Sequence, residues 1–283
     1  MNRKTLVSVE SLATELGEGH LRLFDCRFDL RDADAGRRAF VASHLPGAGY
    51  VNLDTDLSDL SIEGRGRHPL PSASTFSETL SRWGLTPEQP VVVYDSSDGS
   101  MAARLWWMLS LFGHQQVAVL DGGIQAWVRA GGRTESGQPP SPEPSQYRGR
   151  FDVRRIASTA VVAARMATQG GALIDARAPE RFRGEVEPID RIPGHIPGAV
   201  NRPYVANLRA DGRFKPAAVL REEFEQLLGD TSPQETLLMC GSGVTACHHA
   251  LAMQHAGLEG ARVYAGSWSE WISDPVRPVA RDA

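Results

Sequence analysis

The chain of 283 residues has few cysteines, little net charge and no long apolar run. Three cysteines (Cys26, Cys240 and Cys247) cannot build a disulfide framework, which favours a reducing, cytoplasmic compartment. A net charge of −4 offers no concentrated basic face for a nucleic acid. No apolar run approaches the roughly 18 residues that span a bilayer, and the amino terminus lacks a secretion-signal core, so we expect neither a membrane partner nor export.

The composition is that of an ordinary soluble globular protein, with 41% hydrophobic and 23% charged residues. It excludes a collagen, a disordered tail protein and a coiled coil. The length is about twice that of a common single domain, which predicts two domains.

The sequence repeats itself once. Four pairs of segments match in the same order, at offsets of 144 to 151 residues. They are 23–27 with 173–177, 44–48 with 195–199, 91–95 with 236–240, and 120–127 with 264–271. A period this long indicates a duplicated domain, because solenoid repeats run about 20–50 residues.

A segment rich in proline, serine and glutamate separates the two halves. We predict an amino-terminal domain over residues 1–132, a linker over 133–150 and a carboxy-terminal domain over 151–283. The linker composition cannot bury enough apolar surface to order itself, and its prolines favour an extended chain.

Short apolar runs alternate with longer segments that lack proline. The runs predict buried strands at 91–94, 117–120, 172–174, 236–239 and 261–264, and the longer segments predict helices at 101–112 and 244–256. This alternation predicts an α/β fold in which each half is a doubly wound parallel sheet flanked by helices. Chemistry in such sheets lies at the carboxyl ends of strands. Asp95 and Cys240 occupy this place in the two halves, and only the second half has a nucleophile there.

The segment around Cys240 reads as a strand, a tight loop and a helix. Gly241 and Gly243 let main-chain N–H groups point into one concavity at the helix N-terminus, where an anion such as a thiolate would be stabilised. A free cysteine has a pKa of about 8.5, and such sites can lower it to roughly 3.5–7.5. The helix dipole alone supplies about one pKa unit, so direct N–H contacts must supply the rest. A buried, inert cysteine is the competing interpretation, and the Gly-Ser-Gly sequence favours a reactive thiol.

The duplication, the two HxPGA motifs and the CGSGVTA loop at 240–246 resemble the tandem-domain rhodanese-type sulfurtransferases. The resemblance covers residues 5 to 278 and implies two rhodanese-like domains, of which the first lacks the nucleophile. The uncharged loop is similar to that of the 3-mercaptopyruvate branch, whereas the thiosulfate branch carries basic residues there. The implied function is transfer of sulfur from 3-mercaptopyruvate, or thiosulfate, through a Cys240 persulfide to cyanide or another thiol acceptor such as thioredoxin.

The resemblance also implies the residues that bind the donor. Arg181 matches the first carboxylate-binding arginine, and Arg191 is the nearest match to the second in a segment about two residues shorter than usual. The remaining contacts are expected from the loop, namely Gly241, Gly243, Val244 and Thr245. A bidentate guanidinium suits a carboxylate. Arg177 either joins these residues or forms an ion pair with a neighbouring glutamate.

The same resemblance implies a proton relay of Ser242, His68 and Asp54, with the reaction held in a cleft between the domains. No cofactor or metal is required. Two alternatives remain open: a noncatalytic persulfide carrier and a cysteine-dependent phosphatase, although the loop lacks the arginine that a phosphatase needs.

Other conspicuous residues favour structural roles. His44 and His195 each begin an HxPGA motif although only one half has a nucleophile, so they indicate turns. Cys247, His248 and His249 are adjacent on a predicted helix and therefore cannot chelate one ion together. Trp106 and Trp107 are expected in the core or at a domain interface.

Overall fold

A computed structural model describes residues 5–16, 20–168 and 170–282. The chain forms two compact units. The first comprises Met1–Asp59, Leu70–Asp152 and Arg209–Phe214, and the second comprises Leu60–Pro69, Val153–Leu208 and Lys215–Ala283. Each unit therefore includes one short segment that the other half of the sequence encodes.

The first unit is a five-stranded parallel sheet with the strand order β1-β5-β4-β2-β3. Its elements are β1 (Leu6–Val7), α1 (Val9–Glu15), β2 (Arg22–Asp25), α2 (Ala35–Ala42), β3 (Gly49–Tyr50), α3 (Leu53–Asp56), α4 (Ala73–Arg82), β4 (Val91–Tyr94), α5 (Ala102–Leu111), β5 (Val117–Leu120) and α6 (Gly123–Arg129).

The second unit repeats this topology with the order β6-β10-β9-β7-β8, again all parallel. Its elements are β6 (Ile156–Ala157), α7 (Thr159–Thr168), β7 (Leu173–Asp175), α8 (Pro179–Arg183), β8 (Val200–Asn201), α9 (Ala217–Leu228), β9 (Leu237–Met239), α10 (Thr245–His255), β10 (Arg262–Tyr264) and α11 (Ser267–Trp271). Short 3₁₀ turns lie at Val153–Arg155, Tyr204–Asn207 and Pro233–Glu235. The predicted duplication of a parallel α/β unit is confirmed.

The central strands are buried on both faces because helices cover both sides of each sheet. All four residues of β4 are buried, and β4 pairs in register with β2 and β5. Helix α5 carries Trp106 and Trp107, which are both fully buried in the first unit. Trp268 and Trp271 of α11 are fully buried in the second. Burial of side chains this large removes much apolar surface from water in each core.

The proline-rich segment 133–150 has no helix or strand, and it packs against the first unit. Tyr147 is buried, and the Ser145 N–H donates to the Ser81 carbonyl. Phe151, just beyond the segment, stacks on Phe76. These aromatic residues hold against the first unit a segment that has no helix or strand of its own.

The two aspartate–arginine pairs of the repeat build the same clamp in each unit. Arg27 makes a bidentate ion pair with Asp25 and donates to the Ser43 carbonyl. Arg177 does the same with Asp175 and the Gly194 carbonyl. The arginine thus ties the end of a strand to the residue that precedes each HxPGA motif.

The histidines of those motifs also have matching structural contacts. His44 Nδ1 lies 2.8 Å from the Phe40 carbonyl and its ring stacks on Phe40. His195 Nδ1 lies 2.8 Å from the Phe182 carbonyl and its ring stacks on Phe182. Their shared geometry in both units supports the structural role predicted for them.

Candidate active site

Cys240 follows β9 directly, and only 2% of its surface is exposed. Its Sγ accepts a hydrogen bond from the Gly243 N–H at 3.1 Å. Gly243 has φ of +78°, and a Cβ there would overlap the Ala265 carbonyl, so the loop requires glycine at this position. The main chain therefore folds back over the Cys240 sulfur.

The other amides of the loop still have hydrogen-bonding capacity. Within the described chain, the N–H groups of Gly241, Ser242, Val244 and Thr245 donate to no protein acceptor. Helix α10 begins at Thr245 and directs the positive end of its dipole toward the same loop. Unsatisfied N–H groups at a helix N-terminus form an anion-binding concavity, so the loop can hold a sulfur anion.

Residues at the start of helix α11 hold the Cys240 loop in place through hydrogen bonds. The Cys240 N–H donates to Ser267 Oγ at 3.0 Å, and Ser267 Oγ donates to the Tyr264 carbonyl at 2.8 Å. The Trp268 and Ser269 N–H groups donate to the carbonyls of Cys240 and Gly241. Among the described residues, Ser267 is the one non-glycine with positive φ, at +52°. In the repeat, Ser267 stands where the first unit has Gly123, and this difference is the signal in the sequence for its role.

Ser242 and His68 form a direct pair. Ser242 Oγ lies 2.8 Å from His68 Nδ1, and both residues are buried. His68 belongs to the segment Leu60–Pro69, which is part of the second unit. That segment is attached to α11, because the Arg67 N–H donates to Ser269 Oγ at 3.0 Å and Arg65 pairs with Glu270. Two of the three predicted relay residues are therefore in contact.

Two guanidinium groups lie above Gly241. A Cβ placed on Gly241 would be 3.1 Å from Arg67 Nη2 and 3.6 Å from Arg181 Nη2. Arg181 donates hydrogen bonds to the Glu187 carboxylate through Nε and Nη2. The Asp190 carboxylate accepts hydrogen bonds from both Arg67 and Arg181. Arg67 was not among the site residues that the sequence predicted, and it lies beside the Cys240 loop.

The acidic partners of these arginines are themselves buried. The side chains of Glu187 and Asp190 are 2% and 4% exposed. Burial alone would raise the pKa of Glu187, but the hydrogen bond from Arg181 and main-chain N–H groups lower it below its usual value. Glu187 is therefore an ionised, fixed partner for the arginines.

Arg191 and Arg177 have partners outside the Cys240 loop. Arg191 donates through its guanidinium to the Ile272 carbonyl and is not one of the groups over Gly241. Arg177 forms ion pairs with Asp175 and Glu187. Of the two roles expected for Arg177, donor binding or an ion pair with a neighbouring glutamate, the structure therefore favours the ion pair. Asp54 belongs to α3 of the first unit, where burial raises the pKa of its carboxyl.

In the first unit, the Asp95 carboxylate fills the loop that is equivalent to the Cys240 loop. Asp95 Oδ1 accepts from the N–H groups of Ser97 and Gly99, and Oδ2 accepts from those of Met101 and Ala102. Burial, reinforced by the nearby Asp98 carboxylate, raises the pKa of Asp95 to about 6 despite these bonds. The amides that would receive an anion are already satisfied, so this loop is closed to one.

The Cys247-His248-His249 run is a packing element. Cys247 Sγ donates to the Gly243 carbonyl, and both histidines accept through Nδ1 from Asn207. Burial lowers the pKa of His249 to about 3, so its ring is neutral. Among the described residues, no group of three metal-ligating side chains is arranged so that it could hold a metal ion.

No helix in the described ranges has the length and apolarity to cross a membrane.

Comparison with known proteins agrees with this geometry. The model of the rhodanese-like domain matches residues 8–130 and 158–274. The chain therefore belongs to the rhodanese-like family, and it is a sulfurtransferase with two such domains.

Individual relatives span the whole chain. A probable 3-mercaptopyruvate sulfurtransferase of Pseudomonas aeruginosa is 44% identical over 99% of both chains. A putative thiosulfate sulfurtransferase of Mycobacterium tuberculosis is 41% identical over 98% of this chain and 97% of that protein. The solved structure of 3-mercaptopyruvate sulfurtransferase from Leishmania major superposes with a TM-score of 0.84 and 33% identity, covering 97% of this chain and 75% of the other. The names agree on sulfur transfer and differ on the donor.

Proposed function

We propose that this protein takes a sulfur atom from 3-mercaptopyruvate, holds it as a Cys240 persulfide, and passes it to cyanide or a small or protein thiol such as reduced thioredoxin. The observation that carries the proposal is the hydrogen bond from the Gly243 N–H to Cys240 Sγ, in a loop whose other amides still have capacity for an anion. Such contacts favour the thiolate, which is the nucleophilic form of cysteine.

In the first half-reaction the Cys240 thiolate attacks the thiol sulfur of the donor. An S–S bond forms, the C–S bond breaks, and the electron pair passes to the methylene carbon, so pyruvate leaves as its enolate. The enolate carbon takes a proton, and the donor thiol gives one up. The products are a deprotonated Cys240 persulfide and pyruvate, with no net proton consumed.

The proton transfer is assigned to Ser242 and His68. Their 2.8 Å hydrogen bond is short enough for a hydroxyl–imidazole relay, and burial of both groups keeps bulk water from competing. Asp54, which the family resemblance makes the third member, remains a prediction.

The charge balance of the site supports the carboxylate donor. The loop itself has no charged side chain, and the two guanidinium groups over Gly241 are matched by the carboxylates of Glu187 and Asp190. Thiosulfate is a compact dianion that benefits from excess positive charge. A donor with one carboxylate instead needs directed N–H donors, and the Arg181 guanidinium supplies them.

In the second half-reaction the acceptor attacks the outer sulfur of the persulfide. With cyanide, a C–S bond forms and the S–S bond breaks, which releases thiocyanate and restores the Cys240 thiolate. A thiol acceptor leaves as a persulfide by the same exchange.

The donor assignment is tested with cyanide as the acceptor. We expect kcat/KM for 3-mercaptopyruvate to exceed that for thiosulfate. Faster turnover of thiosulfate would overturn the donor assignment and leave sulfur transfer intact. A protein that gains one sulfur atom by intact mass but does not turn over either donor would contradict the catalytic cycle and indicate a persulfide carrier.

A further inference from the structure

We propose that Ser269 is a positioning residue for proton transfer, because its hydroxyl holds the segment that carries His68. The inference rests on the proposed function, in which His68 moves a proton from the donor thiol to the enolate carbon. Ser269 lies on α11, and its side chain accepts the N–H of Arg67 rather than a group of the relay. It therefore acts on His68 through the main chain of the segment Leu60–Pro69.

The bond from Arg67 to Ser269 fixes the chain immediately before His68. The Arg67 N–H donates to Ser269 Oγ at 3.0 Å, and Ser269 Oγ donates to the Gly266 carbonyl at 3.1 Å. Because the hydroxyl both accepts and donates, its orientation is set. His68 is the next residue, and its Nδ1 lies 2.8 Å from Ser242 Oγ. An attachment one residue away limits the movement of the imidazole relative to its partner.

Close packing at Gly66 places the same segment directly on α11. Gly66 has φ of +90°, and a Cβ there would be 2.7 Å from the Gly266 carbonyl oxygen and 2.9 Å from Ser269 Oγ. A side chain at this position would push the segment away from the helix. Ser273 Oγ donates to the Gly64 carbonyl at 3.3 Å. The segment is thus attached at successive points that lead up to the relay histidine.

The main chain of Ser269 also holds the Cys240 loop. The Ser269 N–H donates to the Gly241 carbonyl at 2.9 Å, and the preceding Trp268 N–H donates to the Cys240 carbonyl at 3.0 Å. Ser269 thus binds the nucleophile loop through its N–H and the relay segment through its hydroxyl. One residue thereby sets the position of the relay relative to the nucleophile.

Comparison of the two repeats separates the side-chain contact from the main-chain contact. Gln125 of the first unit occupies the place of Ser269 in the repeat. Its N–H donates to the Ser96 carbonyl at 3.0 Å, which matches the main-chain bond of Ser269 to Gly241. Gln125 is exposed. The unit with a nucleophile therefore has a hydroxyl where the other unit has an exposed amide, which is the difference expected if the hydroxyl serves the reaction.

Proton transfer is sensitive to small displacements of its groups. It needs heavy atoms about 2.6–3.2 Å apart, and a misplacement of about 1 Å can cost about a hundredfold in rate. Loss of the Ser269 hydroxyl removes one neutral hydrogen bond from the segment, which lowers the population of the attached position by up to about tenfold. Release of pyruvate requires a proton at the methylene carbon, whereas sulfite leaves thiosulfate with its electron pair. Ser269 should therefore matter for 3-mercaptopyruvate and not for thiosulfate.

The test compares kcat for the two donors, with cyanide as the acceptor. Ser269→Ala should lower kcat for 3-mercaptopyruvate about tenfold and leave that for thiosulfate near the wild-type value. Ser269→Thr keeps the hydroxyl and should retain most of the rate. Gly66→Ala displaces the segment and should reproduce the difference between the donors. An equal loss with both donors, or no loss with 3-mercaptopyruvate, would overturn the positioning role.

Ser77→Ala is the matched control for these variants. The Ser77 hydroxyl donates to the Ala73 carbonyl within α4 of the first unit, so its removal leaves the relay segment untouched. Both kcat values should stay at the wild-type level in this variant.

A double variant shows whether Ser269 acts through His68. In a His68→Asn background, Ser269→Ala should cause no further loss of kcat for 3-mercaptopyruvate, because the group that it positions is absent. Losses that simply multiply would contradict the proposal, since they would mean that Ser269 acts by another route.

The imidazole resonances of His68 give a readout that needs no turnover. They are assigned by their absence from the spectrum of His68→Asn, and they should shift in Ser269→Ala but not in Ser77→Ala. Resonances that stay in place in Ser269→Ala would refute the positioning role. If they shift as expected while the wild type does not turn over 3-mercaptopyruvate, the proposed function fails and the attachment of His68 by Ser269 stands.

Discussion

Ser267 holds Cys240 by its main chain: the Cys240 N–H donates to Ser267 Oγ at 3.0 Å, and Ser267 has a φ of +52°. The equivalent residue of the first unit is Gly123, with φ of +56°. Glycine adopts this region without cost, whereas a residue with a Cβ is strained there by about 1–2 kcal/mol. The unit with a nucleophile thus keeps a strained serine where the other unit has an unstrained glycine.

The variants Ser267→Gly and Ser267→Ala should separate the backbone strain at residue 267 from the effect of its hydroxyl on Cys240. Both variants lose the hydrogen bonds to Cys240 and Tyr264, so both should slow persulfide formation at Cys240 by about tenfold. Ser267→Gly removes the strain and should be more stable than Ser267→Ala by about 1 kcal/mol. Single-turnover sulfuration and urea denaturation measure the two effects. A Ser267→Gly protein with wild-type sulfuration would show that the hydroxyl does not position the cysteine.

The sequence was sufficient for the features that depend on local pattern. The predicted strands at 91–94 and 117–120 match β4 and β5, and the predicted helix at 244–256 differs from α10 by one residue at each end. Buried parallel strands are continuous apolar runs, and turn residues bound them, so local composition is enough to find them. The Cys240 loop was predictable for the same reason, because strand, glycine loop and helix are contiguous.

The features that sequence reasoning missed depend on distant segments. The contact of Arg67 with the Cys240 loop is recognisable only when the segment Leu60–Pro69 is seen packed on α11. The role of Asp95 was likewise hidden. Its place in the repeat predicted a lost nucleophile, but only the folded structure shows that its carboxylate accepts hydrogen bonds from four amides of its own loop.

Asp95→Ala should destabilise the first unit without changing the chemistry at Cys240. The substitution leaves four main-chain N–H groups without their acceptor, and we expect the free energy of unfolding at neutral pH to fall by roughly 2–4 kcal/mol. The loss is limited because burial raises the pKa of this carboxyl to about 6 and makes its charge costly in the folded state. Asp98→Asn, which keeps an acceptor in the same loop, is the control. Equal stability of Asp95→Ala and wild type would indicate that water replaces the carboxylate.

His68→Asn should affect the two sulfur donors unequally. Release of pyruvate requires a proton at carbon, whereas sulfite leaves thiosulfate with its electron pair and needs none. Loss of the relay should therefore lower kcat for 3-mercaptopyruvate about a hundredfold or more and lower that for thiosulfate far less. Ser242→Ala should show the same pattern, because it removes the partner of His68. A similar loss with both donors would mean that His68 only supports the fold of the loop.

The two cysteines near the loop should behave differently. Cys240→Ser removes the nucleophile and should abolish turnover. Cys247→Ser should keep most of it, because Cys247 is fully buried on α10 and its Sγ donates to the Gly243 carbonyl, a bond that a hydroxyl can also make. Steady-state turnover with cyanide measures both variants. Comparable losses in the two would contradict the assignment of Cys240 as the single sulfur carrier.

The buried imidazole of His249 should make stability depend on pH. Burial lowers its pKa from about 6.5 to about 3, so between these values the unfolded chain binds a proton that the folded chain does not. This contribution to the free energy of unfolding is fully present above pH 6.5. It is lost as the pH falls toward 3, by up to about 1.4 kcal/mol per pH unit.

The variant His249→Gln tests this dependence. Its side-chain amide can still donate to the Arg202 carbonyl as His249 Nε2 does, but the amide does not titrate. We therefore expect the stability advantage of the wild type over His249→Gln to shrink as urea denaturation is repeated at decreasing pH, from about 7 to about 5. A difference between the wild type and His249→Gln that stays constant over this range would show that His249 does not titrate in it.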